Sequence, residues 1–410
     1  MKRAICVLLI LACFEGYTQK LSVVGGYFPY WRTTANVNFN HYNYLYFAFV
    51  FPTVTGGIES STARKTVFNS FNTATKNTNA KKLISVGSTG MVAMAKDSIA
   101  RGKFADTLRK FCRNNHYNGI DVDWEAIDNI TDKINYNALI KVIKQTIDTT
   151  DLELVITVGF SEYWMQWYDN KALLEADFLQ IMIYDQTGTW PVSPYGNHSS
   201  MDHFKQAENY WVGRGFSRDK MVMGLPYYGY KFKDETGGIA TAITYSDIVK
   251  QFPAIKSSDN TLIDGTGNYL FNGVDLIKEK INYAIDNGFK GVFVWEIAQD
   301  NTNHPLSLDL ALYNTIYGNI NGINKMEALP IYIKCYPNPA KEALCIEGLP
   351  IDFLEGEITI MTVAGKTILQ QAITSTRQIL QLKHVSEGLH IVCMSNKTKS
   401  MLYYTKILIQ

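Results

Sequence analysis

Eight apolar runs recur along the first three quarters of the 410-residue chain. They fall at residues 21–31, 44–51, 82–88, 117–125, 152–160, 178–185, 220–228 and 290–297, and are rich in Val, Ile, Phe and Tyr. Between them lie stretches with helical apolar spacing, clearest at 99–114, 133–147, 201–212 and 275–287, and a last one at 308–317 follows the eighth run. Near-continuous apolar strands, each followed by a helix, predict a parallel sheet covered on both faces. Eight such units in roughly 300 residues match the size of an α/β (β/α)8 TIM barrel. A doubly wound open sheet is the runner-up, but the first strand lacks a Gly-rich phosphate turn after it. The longest connection, 231–273, carries Gly, Asn, Asp and Ser clusters and one short helix from Tyr245. It is placed to form a wall of a cleft, because barrel function lives in these loops.

The pattern changes after residue 318. Residues 319–330 read as a linker, and short β-rich runs follow at 344–347, 357–363, 368–372, 379–382, 388–394 and 402–409. This predicts a barrel domain over 20–318 and a small all-β sandwich over 331–410.

Composition sharpens this only in places. A hydrophobic fraction of 46% and a charged fraction of 19% are those of a globular protein. A formal net charge of +1 gives no electrostatic case for nucleic acid or an anionic membrane. The 25 Tyr, 20 Phe and 7 Trp fit either a large aromatic core or a groove that stacks sugar rings. Met1-Lys2-Arg3 followed by a short apolar run reads as a signal peptide over 1–18. Cys13 could be a lipidated cysteine, although Leu11 fits that pattern poorly. No later segment resembles a membrane span. The cysteines outside the leader are Cys112, Cys335, Cys345 and Cys393. They form no disulfide framework and no zinc spacing, so Cys112 reads as a small buried hydrophobe. The seven His are scattered, and no metal or cofactor is expected.

The chemistry concentrates in the fourth run, Tyr117-Asn118-Gly119-Ile120-Asp121-Val122-Asp123-Trp124-Glu125. Side chains alternate faces along a strand, so Asp121, Asp123 and Glu125 point one way and Ile120, Val122 and Trp124 the other. In a barrel the apolar set packs under the helices, and the acids climb the inner wall toward the C-terminal rim, where barrel active sites sit. Inward carboxylates in a row are costly to desolvate. Their proximity pushes their pKa values apart, leaving one able to hold a proton near neutrality. That proton is most useful on the outermost residue, Glu125. An acidic strand end or an oxygen-ligated metal site is the plainer reading, but the order of the acids fits acid/base work better.

These residues resemble the D-x-x-D-x-D-x-E signature of family 18 glycoside hydrolases, the chitinase-like group. The match covers Asp121, Asp123 and Glu125 and departs at Asn118, which has the opposite strand phase. Gln180-Ile181-Met182-Ile183-Tyr184-Asp185 resembles the family's Q-x-M-x-Y-D, and Gly224-Leu225-Pro226-Tyr227-Tyr228-Gly229 its G-x-P-x-Y-G, with Tyr230 where an Arg often follows. Ser85-Val86-Gly87-Ser88 is an imperfect S-x-G-G. Gly26-Tyr27-Phe28, Phe47-Ala48-Phe49 and Gly291-Val292-Phe293-Val294-Trp295-Glu296 resemble the first, second and last strands. An insertion common before the eighth strand looks absent or much reduced, which implies a shallower cleft. The C-terminal part, with Tyr336-Pro337-Asn338-Pro339-Ala340, Val363-Ala364-Gly365-Lys366 and Glu387-Gly388-Leu389-His390, looks like a type IX secretion sorting domain.

The resemblance implies a secreted or cell-surface glycosidase of a Gram-negative bacterium that cleaves β-1,4-linked N-acetylglucosamine polymers such as chitin. The sorting domain would engage the outer-membrane secretion machinery. It further implies a retaining, substrate-assisted mechanism in which the sugar's own 2-acetamido oxygen attacks the anomeric carbon. Glu125 would be the acid/base, Asp123 would hold the acetamido N–H, Asp121 would pair with Asp123 at rest, and Tyr184 would hold the acetamido oxygen. Trp295 would be the floor of the cleft, with Met182, Asp185, Tyr27, Phe49 and Tyr228 as further substrate contacts. For Trp295, Met182 and Tyr184 plain barrel packing is the alternative. Rival functions on the same barrel are an endo-β-N-acetylglucosaminidase acting on N-glycans, a chitin-binding lectin and a non-catalytic surface adhesin.

Overall fold

The computed structural model describes residues 21–125, 127–318, 333–349, 353–362, 365–396 and 402–410. The expected signal peptide at 1–18, with Cys6 and Cys13, and the whole of the 319–330 linker lie outside these residues. The chain divides into two compact units that part between Ile316 and Tyr317.

In the first unit, eight parallel strands close on themselves. They are β1 (Val23–Pro29), β2 (Tyr44–Val50), β3 (Lys81–Gly87), β4 (Gly119–Asp123), β5 (Glu153–Val158), β6 (Phe178–Ile181), β7 (Met221–Pro226) and β12 (Gly291–Trp295). Each pairs with its neighbours in chain order, and β12 returns to β1, so the barrel has no free edge. All eight predicted runs are strands. Each ends one to four residues early, and two of these ends bear on the site: β4 stops at Asp123 rather than Glu125, and β6 at Ile181 rather than Asp185. Beyond those points the chain turns outward. Asp185 takes a left-handed φ of 59°, a conformation that Asp tolerates better than most residues. Glu125, Tyr184 and Asp185 therefore sit in rim loops, not on the strands themselves.

The predicted helices form at Ser98–Asn115, Ile130–Ile147, Met201–Gly213, Val274–Asp286 and Leu308–Tyr317. Side-chain caps fix several starts: Asp97 accepts from Ala100 N, Asn129 from Asp132 N, and Ser200 forms a capping box with His203. Their apolar stripes cover the outer faces of the strands. Trp124, 1% exposed, packs its ring against Tyr136 of the helix that follows β4. Cys112 is buried as expected, its thiol pushed up to about 12 by desolvation.

The connection between the seventh and eighth barrel strands corrects the sequence reading. It carries more than one short helix. Strands β8 (Tyr228–Phe232), β9 (Thr241–Thr244), β10 (Thr261–Asp264) and β11 (Gly267–Leu270) form an antiparallel sheet, joined by the helix Tyr245–Gln251. Its strands are four or five residues long and interrupted by Gly229, Gly267 and Asn268, so their composition looked like loop. Gly229 is required here: a Cβ would lie 2.4 Å from the Leu270 carbonyl oxygen of the paired strand.

The second unit is all β. A three-stranded sheet (Lys334–Tyr336, Ala343–Glu347, Arg377–Gln381) and a four-stranded sheet (Glu357–Thr362, Thr367–Ala372, Gly388–Ser395, Leu402–Ile409) are both antiparallel. Leu344, Ile346 and Leu380 of the first share one core with Ile358, Ile360, Val392 and Ile407 of the second. Among the described residues of this unit, the sequence had missed only the short strand Lys334–Tyr336.

Candidate active site

The interior of the barrel is not purely apolar. Asp121 on β4 is fully buried and its carboxylate is saturated by hydroxyls. Oδ2 accepts from Tyr27 at 2.7 Å and Ser85 at 2.6 Å, and Oδ1 accepts from Thr157 at 2.8 Å. Gln180 Nε2 donates to the Tyr27 hydroxyl at 2.6 Å. Five strands thus contribute one residue each to a single polar knot, which only a closed barrel can assemble. Burial raises the Asp121 pKa to about 6, with those hydrogen bonds pulling the other way.

One step nearer the rim, Asp123 is 5% exposed and its Oδ1 has no hydrogen-bond partner. Burial drives its pKa well above the usual carboxylate range, and the charges of Glu125 and Asp121 add to the effect. Asp121 takes its hydroxyl partners from neighbouring strands, and its charge acts on Asp123 one step above it. Glu125, beyond the strand end, opens into the cleft, and its backbone N–H donates to Ser88 Oγ at 2.8 Å. The surrounding protein still limits hydration of its carboxyl, so its pKa is raised, first by burial and then by Asp185. Asn118 lies outside this row. Its side chain accepts from Lys82 N at 3.0 Å and fastens the starts of β3 and β4.

A cavity of about 310 Å³ opens beside Glu125 at the C-terminal ends of β4, β5 and β6. Met182, Tyr184 and Asp185 line it from the loop after β6, and Trp164 and Tyr168 from the loop after β5. Tyr184 is 7% exposed, and its hydroxyl is within electrostatic reach of Asp123, Asp185 and Glu125. Asp185 Oδ1 accepts from the hydroxyls of Tyr228 at 2.6 Å and Tyr230 at 2.7 Å. Burial pushes the Asp185 pKa up, but its polar surroundings, the two tyrosine hydroxyls among them, outweigh it and hold the group below its ordinary value. Tyr230, where the family often has Arg, is thus a neutral partner for this carboxylate.

Aromatic rings form a second wall. Trp295, at the end of β12, is half-buried, with its ring centroid 5.5 Å from Tyr27, 5.7 Å from Phe49 and 6.4 Å from Trp31. The buried Glu296 carboxylate accepts from Arg32 Nε at 2.6 Å and ties the ends of β1 and β12 together.

Two expected substrate contacts are corrected. Tyr27 is 1% exposed, stacked on Tyr46, with its hydroxyl inside the Asp121 knot. Tyr228 is 7% exposed and spends its hydroxyl on Asp185. Both support acids rather than face the cleft. Sequence reasoning missed Trp31 and Trp164, which are 51% and 45% exposed at the mouth. It also missed Thr157, whose only signal was a lone hydroxyl inside an otherwise apolar strand.

Residues 23–300 match the family model described as glycosyl hydrolases family 18. The chain belongs to that family. Residues 334–410 match the secretion system C-terminal sorting domain. Human chitinase-3-like protein 2 is 28% identical over 186 residues, covering 38% of this chain and 47% of that protein. The chain spans about half the length of the first curated relatives it matches, at 47% and 53%. Among solved structures, a family 18 chitinase from the chitin utilization locus of Flavobacterium johnsoniae superposes with a TM-score of 0.61 at 22% identity, covering 73% of this chain and 94% of its own. A chitinase-like agglutinin from Robinia pseudoacacia superposes at 0.60 with 26% identity, over 72% and 99%. This family 18 chain therefore shares its barrel with a protein named as a chitinase and with one named as an agglutinin.

Proposed function

We propose that this family 18 protein hydrolyses β-1,4-linked N-acetylglucosamine polymers such as chitin, with retention and with help from the substrate. The observation that carries this reading is the buried, unpartnered Oδ1 of Asp123 between the saturated Asp121 and the open Glu125. A buried acceptor without a partner is costly. An acetamido N–H entering the cleft would satisfy it. The site offers no separate carboxylate nucleophile in this row, and family 18 enzymes are among the retaining exceptions that use a group of the substrate itself.

In this mechanism the acetamido oxygen attacks the anomeric carbon while Glu125 protonates the leaving oxygen. The raised pKa of Glu125 suits that task, since a general acid must still hold its proton near working pH. Asp123 accepts the acetamido N–H and offsets the positive charge of the cyclic intermediate. The Tyr184 hydroxyl orients the acetamido oxygen, so nucleophile and electrophile react as an intramolecular pair. Water then enters, Glu125 takes its proton, and the ring opens to the β-anomer. Trp295 stacks beneath the sugar at the cleavage point, with Phe49, Met182 and Asp185 beside it.

Export to the cell surface or medium through the 331–410 domain belongs to the same proposal and is supported by the sorting-domain match. The agglutinin's similar fold makes sugar binding without hydrolysis the second reading, and Glu125 beside a cavity favours hydrolysis. The test compares acetylated and fully deacetylated chito-oligosaccharides. Only the acetylated series should be cleaved, and NMR should show the β-anomer first. An initial α-anomer, or equal cleavage of both series, would overturn the mechanism; binding without cleavage would leave a lectin.

A further inference from the structure

Lys280 lies on the helix Val274–Asp286 and is completely buried, yet among the described residues no carboxylate forms an ion-pair contact with it. Its Nζ instead donates to three neutral oxygens: Ser199 O at 2.5 Å, Ser199 Oγ at 2.8 Å and Asn272 Oδ1 at 2.6 Å. The hydroxyl of Ser199 spends its own proton on the Ile183 carbonyl, so towards Lys280 it can only accept. Asn272 donates its amide to Asn197 Oδ1 at 3.1 Å, which leaves its Oδ1 facing Lys280 as an acceptor. Three acceptors require three N–H groups, and an amine has three only when it is an ammonium ion. Burial pushes the Lys280 pKa well below its ordinary value, and hydrogen-bond counting, which follows from the geometry, is what places a positive charge in the interior against that penalty.

The partners of this charge lead to the active site. Ser199 holds the carbonyl of Ile183, the residue before Tyr184. His198, also fully buried, holds the residues after it. The Asp185 backbone N–H donates to His198 Nδ1 at 3.3 Å, the Gln186 N–H donates to the His198 carbonyl at 3.2 Å, and His198 Nε2 faces Tyr228 O at 3.1 Å. A ring that accepts at Nδ1 and faces a carbonyl at Nε2 is neutral with its proton on Nε2. The groups facing this ring are Asp185, whose carboxylate lies 3.6 Å from Nδ1 and favours protonation, and Lys280, which opposes it. Burial is the larger influence and also keeps the ring neutral. His203 lies nearby with its own pKa lowered, first by burial and then by Lys280, while Asp202 raises it. Glu279, next to Lys280 in the chain, is the acid acting on the ammonium itself.

We propose that Lys280 is a positioning residue: a buried ammonium group that, through Ser199 and His198, anchors both neighbours of Tyr184 and so fixes the aim of Tyr184 and Asp185 into the cleft. This rests on the site roles given above for Tyr184 and Asp185. Lys280 touches no substrate. It acts by pinning the Ile183 carbonyl on one side and by keeping the neighbouring imidazole in the tautomer that accepts from Asp185 on the other.

The test uses Lys280→Met and Ser199→Ala in the full chain. Three quantities are read: kcat and KM on an acetylated chito-oligosaccharide per folded molecule, Tm, and the NMR titration of the His198 imidazole. Misaimed reacting groups should lower kcat roughly 10- to 100-fold in both variants, with KM within about twofold because binding contacts persist. In Lys280→Met the His198 pKa should move upward. A lysine that only stabilises the fold would lower Tm and leave kcat per folded molecule unchanged, and that result overturns the proposal. If Lys280→Met does not fold, Ser199→Ala decides, because it deletes only the hydroxyl between Lys280 and Ile183; unchanged kcat there overturns it equally. If the unaltered protein cleaves no acetylated oligomer, the proposed function fails, and the His198 titration judges this inference separately: an imidazole unmoved by Lys280→Met overturns it.

Discussion

At the residue scale, the carboxylate row sets activity against stability. Asp121 holds its proton up to about 6 against an ordinary 3.8, and Asp123 and Glu125 are raised in the same direction. The folded chain therefore keeps protons that the unfolded chain has released. For Asp121 the linked stability is full below about pH 4 and is lost as pH rises through about 6, and the raised pKa values of Asp123 and Glu125 act in the same direction. Asp123→Asn removes the buried charge that has an unpartnered oxygen. It should raise Tm by roughly 2 °C or more at pH 7 and change it little at pH 4, while abolishing most hydrolysis; thermal melts at the two pH values check it. Glu125→Gln keeps the shape and loses the transferable proton. Its kcat should fall roughly 100-fold or more with oligosaccharide binding retained, measured by steady-state kinetics beside calorimetry. Near-normal turnover would remove Glu125 from the mechanism.

At the scale of elements, the site depends on strands that approach closely without side chains between them. Gly224 on β7 is the clearest case. A Cβ there would lie 2.7 Å from the Ile181 carbonyl oxygen, 2.9 Å from Phe293 Cζ and 3.0 Å from Tyr184 Cε1. The backbone oxygen belongs to β6 and cannot yield without breaking the barrel ladder, so the strain passes to the two rings. Gly224→Ala should destabilise the barrel by about 1–3 kcal/mol and lower kcat by displacing Tyr184. Denaturant unfolding and kinetics on the same preparation test both halves. The insertion sheet acts in the same way from above: Tyr228 and Tyr230 of β8 hold Asp185 by their hydroxyls. It reaches the cleft through Asp185, although its short, Gly-broken strands made it look like loop.

At the scale of the whole molecule, the barrel closes its own sheet and exposes no edge strand that needs a partner. Every side chain assigned to the site lies in the first unit. A chain of residues 20–325 should therefore fold, stay soluble and keep the activity of the full chain on soluble chito-oligosaccharides. In its native host the same truncation should remain in the periplasm, as fractionation would show. Lost activity on insoluble chitin alone would make the second unit a binding module, and unchanged export would remove its sorting role.

The sequence by itself determined the periodic features. Eight apolar runs with helices between them, the change to short β-runs after residue 318, and the shared phase of Asp121 and Asp123 all follow from side-chain alternation, which is local. Asn118 fell outside the acid row for the same reason, and the structure uses it to fasten β3 to β4. Only the tertiary structure decided what each acid meets. Tyr27, Ser85, Thr157 and Gln180 come from four other strands, and nothing in their own segments shows that they converge on Asp121. That convergence puts the Tyr27 hydroxyl on Asp121 and makes Tyr27 a support rather than a cleft residue. The ammonium of Lys280, 81 positions after Ser199 in the chain, was equally invisible. Alternation and amphipathic spacing are properties of a segment, whereas desolvation and hydrogen-bond saturation depend on which segments the closed barrel brings together.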